Sequence, residues 1–126
     1  MTRVNAVPVS ELCDKHLLAE AREIVRIPNT INSGKAKLTG VYPKEYTLGT
    51  GHVTFFYIRL KWLHNRYKEL YEECKARGFN VTWMWPESVP ERLYNDYVVT
   101  QEALVLNRAR IADRMPVNAK FTKRKD

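Results

Sequence analysis

HVTFFYIRLKWLHNRYKELYEECKAR, residues 52–77, is the stretch that decides the fold class. Val53, Phe56, Leu60, Leu63, Tyr67, Leu70 and Cys74 recur in it at spacings of three and four, which lines them along one stripe of a helix. That stripe is a core face. The turn formers Leu48-Gly49-Thr50-Gly51 precede it and Gly78 follows it, in the place of a C-terminal cap, so the pattern predicts one long helix reaching Arg77. Working outward, a first helix is predicted from about Ser10, a plausible N-cap, to Ile27, where Pro28 and Asn29 interrupt it. A third starts after Thr100 as N-cap, includes Leu104, Leu106 and Ile111, and ends before Met115 and Pro116. Strand signals are weak throughout. The expectation is an all-α fold, a single compact domain of three main helices with long loops.

A chain of 126 residues supports one core and is too short for two, so residues 1–126 are read as a single domain. With 44% apolar and 28% charged residues it has the make-up of a folded globular protein. Lys and Arg number 21 against 14 Asp and Glu, a net charge of +7 that draws polyanions, nucleic acid first among them. Cys13 and Cys74 are far apart and suit neither a disulfide scaffold nor a zinc site, so both are expected to be reduced and structural. No stretch approaches the roughly 18 apolar residues of a membrane span, and the expectation is a cytoplasmic monomer. Residues 29–47 read as a long loop, residues 82–90 with Trp83 and Trp85 as an aromatic plug or short turn, and the chain from about residue 118 as a basic, flexible tail.

Two features carry chemistry. On the first helix, Cys13, Leu17, Ala21, Ile24 and Ile27 fall on one side and Lys15, Arg22, Glu23 and Arg26 on another, with His16 near Glu23. A solvated charged face is the usual meaning of such a pattern; a single acid among three cations also suits a site that grips phosphates and keeps one proton-transfer group. The second feature is the chain start. Thr2 is small, so Met1 is expected to be removed, exposing an α-amine beside Arg3. An α-amine titrates near roughly 7.7–8 and a lysine near roughly 10.4, so at neutral pH far more of the α-amine is unprotonated and nucleophilic. On the third helix Arg110 and Arg114 are four apart and share a face that could span neighbouring phosphates, although ordinary solvated arginines would look the same. His52 and His64 lack a ligand cluster; His52 reads as packing or capping at the start of the second helix, and no metal site or other cofactor is inferred.

Met1-Thr2-Arg3-Val4-Asn5, Val9-Ser10-Glu11-Leu12, His16-Leu17 and Arg22-Glu23 resemble the start of the pyrimidine-dimer DNA glycosylase and abasic-site lyase family, of the phage endonuclease V type. Residues 48–57 (LGTGHVTFFY) and Arg77-Gly78-Phe79-Asn80 look like the same family's second helix. The resemblance implies an all-α domain whose amino terminus threads between helices and emerges beside Glu23, facing double-stranded DNA that carries pyrimidine dimers or abasic sites. It implies that the Thr2 amine attacks the sugar, forms an imine and leads to strand cleavage by β-elimination, with Glu23 as the catalytic carboxylate and no cofactor. It assigns Arg3, Arg22 and Arg26 to DNA phosphates, His16 to a position near the lesion, and Arg110 and Arg114 to further DNA contacts.

The sequence departs from the family pattern in three places. Lys15, also a DNA-facing candidate, replaces a glutamine; the loop after Arg26 is shorter; and the C-terminal aromatic patch gives way to Lys120-Phe121-Thr122-Lys123-Arg124-Lys125-Asp126. Two alternatives stay open: a non-catalytic basic helical nucleic-acid binder, and a glycosylase and lyase for a different damaged base. A binder has no use for a processable second residue paired with Glu23, whereas the imine route needs both.

Overall fold

The computed structural model describes residues 2–125. Five α-helices, Asp14–Glu23 (α1), Arg26–Asn32 (α2), His52–Phe56 (α3), Leu60–Ala76 (α4) and Gln101–Asp113 (α5), pack into one all-α domain, with short 3-10 turns at Val9–Glu11 and Glu91–Leu93. No strand occurs among the described residues. No helix among them is long and apolar enough to cross a membrane.

The first two predicted helices are each divided in two. A proline ring clashes with the carbonyl four residues earlier, here that of Ile24, and the helix breaks there, between α1 and α2. Pro28 is then the third residue of α2, where the missing N–H is one of the first turn's partnerless donors in any case. Ser10 caps nothing; it lies in the 3-10 turn, and Cys13 holds the N-cap position of α1. The break between α3 and α4 has a different cause. The Arg59 guanidinium lies 3.9 Å over the Phe55 ring and donates to the Phe55 carbonyl at 2.6 Å, ending α3. The first amides of α4, Lys61 and Trp62, donate instead to the Asn95 carbonyl at 3.2 and 3.4 Å. Gly78 ends α4 as expected: with φ of 92° it allows Phe79 N–H to reach the Cys74 carbonyl and its own N–H to reach Lys75.

Leu17, Ala21, Ile24, Leu60, Leu63 and Leu70 meet in the core, with Phe55 and Phe56 from α3. Both cysteines are buried and free, and burial pushes the Cys74 thiol up to about 11. Thr100 caps α5 by accepting from Ala103 N–H at 3.0 Å. The buried residues of α5 are Ala103 and Asn107; Leu106 is exposed. The basic segment expected to form a flexible tail is held against the body. Lys120 accepts from Asp14 N–H at 2.8 Å, Thr122 bonds the Asp14 carboxylate, and Arg124 pairs with Glu73.

Candidate active site

Residues 4–7 are buried outside any helix or strand, so their main-chain polar groups need side-chain partners. Four side chains from separate parts of the chain supply them, and a fifth bonds the preceding Arg3. Val4 N–H donates to His52 Nε2 at 2.8 Å and its carbonyl accepts from the Tyr46 hydroxyl at 2.8 Å. Ala6 and Val7 N–H both donate to Asn107 Oδ1, at 2.6 and 3.1 Å. The Val7 carbonyl accepts from Arg66 Nη1 at 2.5 Å, and Arg3 N–H donates to Glu23 Oε1 at 3.3 Å.

A run of buried side-chain bonds passes through this segment's own Asn5. Asn107 Nδ2 donates to Asn5 Oδ1 at 2.8 Å, Asn5 Nδ2 to Glu20 Oε1 at 2.7 Å, and Arg66 makes a two-pronged pair with Glu20 at 2.8 and 3.1 Å. Because His52 Nε2 accepts, its Nδ1 carries the proton and donates to the Thr47 carbonyl at 2.8 Å. Burial holds the His52 pKa below its ordinary value, which favours this neutral tautomer. Burial likewise raises the pKa of the Tyr46 hydroxyl, keeping it a donor.

The threaded segment surfaces at a cleft of about 340 Å³. Its walls are Arg3, His16 and Glu23 on one side and Arg110, Ile111 and Arg114 on the other, with Asn5 and Glu20 also lining it. His16 Nε2 lies 3.2 Å from the Arg114 carbonyl and ties α1 to the end of α5. Arg3 has its pKa lowered by burial, and next by Arg110, a sign of how closely the guanidinium groups crowd. Glu20 is committed to Arg66, so Glu23 is the carboxylate left facing three cleft arginines. Such a crowd of like charge is relieved by an incoming anion.

Of the residues singled out in the sequence, the fold brings Arg3, His16, Glu23, Arg110 and Arg114 to this cleft, and Thr2 precedes the peptide bonded to Glu23. Arg22 is exposed at the rim, 3.5 Å from Glu23. Lys15 lies seven residues before Arg22 on the same stripe of α1, and Arg26 begins α2; both are exposed and neither lines the cleft. Met1, whose removal the reading of Thr2 requires, lies outside the described residues. Asn5, Tyr46, Arg66, Glu20 and Asn107 were missed. Arg66 could have been found, since it sits three after Leu63 and four before Leu70, a charge in an apolar register.

A second, larger cleft of about 570 Å³ holds the aromatic region. His64 stacks on Trp85 at 4.7 Å and 9°, and bonds the Tyr94 hydroxyl at 2.9 Å. Burial holds the His64 pKa below its ordinary value, and the acids of the lining, Glu87 and Glu91, carry the wrong sign for phosphate. Charge, not size, selects the smaller cleft.

A family model described as pyrimidine dimer DNA glycosylase matches residues 1–87 of the 126-residue chain, a span that includes Arg3, His16, Glu20, Glu23 and Arg66. Helix α5, with Asn107 and Arg110, and its C-cap Arg114 lie beyond the matched residues.

Proposed function

Since this chain belongs to the pyrimidine dimer DNA glycosylase family, we propose that it breaks the glycosidic bond of the 5′ base of a cyclobutane pyrimidine dimer, leaving that base joined to its 3′ neighbour, and then cuts the strand, with the α-amine of Thr2 as nucleophile. The amine nitrogen attacks the anomeric carbon of the sugar. The glycosidic bond breaks, and the base leaves with the bonding electrons and takes up a proton. Loss of a proton from nitrogen and opening of the sugar ring give an imine. The imine then serves as the electron sink for removal of a C2′ proton, and the 3′ phosphate departs by β-elimination. Neither a metal nor an organic cofactor enters this sequence.

Glu23 serves the steps that need a carboxylate: its charge stabilises the cationic sugar, and its oxygens accept and return protons. Arg3, Arg110 and Arg114 bind the phosphates flanking the lesion, with Arg22 at the rim, and Lys15 and Arg26 extend the basic surface along α1 and α2. His16 stands against the lesion. The observation that carries this reading is the bond from Arg3 N–H to Glu23 Oε1, which brings the chain within one peptide of Thr2 against the cleft carboxylate.

Borohydride reduction tests it, because it converts an imine into a stable amine. Duplexes bearing a pyrimidine dimer or an abasic site are expected to give a covalent adduct whose peptide map assigns the link to Thr2. Protein acetylated at Thr2, or shown by mass to keep Met1, is expected to give none. An adduct through a lysine, or full cleavage by protein that keeps Met1, would refute the assignment of the nucleophile.

A further inference from the structure

Asn107 is fully buried on α5, two residues after the exposed Val105 and one before the exposed Arg108. A side-chain amide has two donors and a two-lone-pair acceptor, and burying it without partners is costly. Here its oxygen takes the N–H groups of two successive residues, Ala6 and Val7, and its nitrogen holds Asn5 Oδ1. One side chain therefore fixes three consecutive residues of the N-terminal segment, both along the chain and in rotation about it.

Slipping the segment by one residue would present Asn5 or Pro8 N to that oxygen, and proline has no N–H to give. It would also take Val4 N–H from His52 and the Val7 carbonyl from Arg66. Arg110 on α5 and Arg114 at its C-cap follow Asn107 at three and seven residues, so the element that grips the cleft's anion also carries the clamp.

We propose that Asn107 is a positioning residue for the N-terminal amine: by clamping Asn5, Ala6 and Val7 it sets the register that brings residue 2 to Glu23. This rests on the reading of Thr2 as nucleophile. The role is distinct from catalysis, because Asn107 touches the segment and not the reacting atoms.

Asn107→Leu keeps the size and removes all three bonds. In single-turnover trapping on an abasic duplex, its rate of adduct formation is expected to fall about a hundredfold, the order of loss that follows from misplacing a reacting group by about 1 Å. Its affinity for the same duplex should stay within about threefold, since the cleft arginines are untouched. Asn107→Asp keeps the oxygen that accepts from Ala6 and Val7 and should recover most of the rate. Asn95→Ala is the control: it removes two side-chain bonds, to the Ile58 and Arg92 carbonyls, away from the cleft, and should leave the rate unchanged.

Amide hydrogen exchange supplies a readout that does not depend on the chemistry. Ala6 and Val7 should exchange at least about tenfold faster in Asn107→Leu, with α4 amides unaffected. If the leucine variant does not fold, Asn107→Ser takes its place with the same readouts. An unchanged trapping rate in the folded variant, an equal loss in Asn95→Ala, or unchanged exchange at Ala6 and Val7 would each overturn the proposal. Wild-type protein that forms no adduct while exchange responds as expected would instead refute the Thr2 chemistry and leave the clamp standing.

Discussion

Glu20 and Glu23 sit one turn apart on α1 and have opposite surroundings. Glu20 is 2% exposed and holds Arg66 and Asn5 inside the protein; Glu23 opens on the cleft and meets the Arg3 amide. Their substitutions should therefore fail in different ways. Glu23→Gln preserves size and is expected to lower turnover by at least about a hundredfold while keeping damaged-duplex affinity within about tenfold. Glu20→Gln leaves Arg66 buried without its counter-charge, and its loss should appear as about 3–5 kcal/mol of stability in urea unfolding. Near-normal single-turnover cleavage by Glu23→Gln would move the acid-base role to another group. In the sequence the two glutamates look alike; only the arrival of Arg66 from 46 residues away separates them.

At the scale of elements, the N-terminal segment is the unusual one, since its main chain bonds to side chains and not to a sheet or helix of its own. His52 is a pH-sensitive member of that arrangement. Unfolded, it takes a proton near roughly pH 6.5; folded, burial lowers its pKa, and its Nε2 is occupied by Val4 N–H. The unfolded state thus binds more protons in that window. Its contribution to stability is present above about pH 6.5 and is lost as pH falls below it, until the folded group protonates too. His52→Gln should show a flatter fall in urea midpoint between pH 7.5 and 5.5 than wild type, and equal slopes would exclude the assignment. Helix positions were largely legible, because Leu63, Leu70, Leu17 and Ile24 repeat at helical spacing. The two breaks were not. The apolar stripe runs unbroken through Arg59, whose role depends on reaching back to Phe55, and a proline announces a break at its own position although the strain falls four residues earlier. Glu23 and the arginines near it were legible as a charged face with a familiar N-terminus, whereas Asn107 gave no sign, because an asparagine on a helix is noticed only once its buried partners are known.

Across the whole molecule, the charge of +7 is divided unevenly, with arginines crowding the smaller cleft and Glu87 and Glu91 beside the larger. If the smaller cleft binds phosphate, Arg110→Gln and Arg114→Gln should each make the slope of log affinity against log salt shallower by about one unit. Titrations at several salt concentrations check this, and unchanged slopes in both variants would mean that α5 does not face DNA. The bonds that join Asn107 to Asn5, Ala6 and Val7 span 100–102 positions of the chain, and Thr122 reaches Asp14 across 108. During synthesis the amino terminus leaves the ribosome first and waits for partners made about a hundred residues later, several seconds at roughly 5–20 residues per second. Contacts so distant in sequence also slow folding, since the loop must close before they reward it. The end of the chain that carries the proposed nucleophile thus meets Asn107 after its nearer partners Glu23, His52 and Arg66, and a ribosome-bound fragment lacking α5 would hold the amine without that clamp.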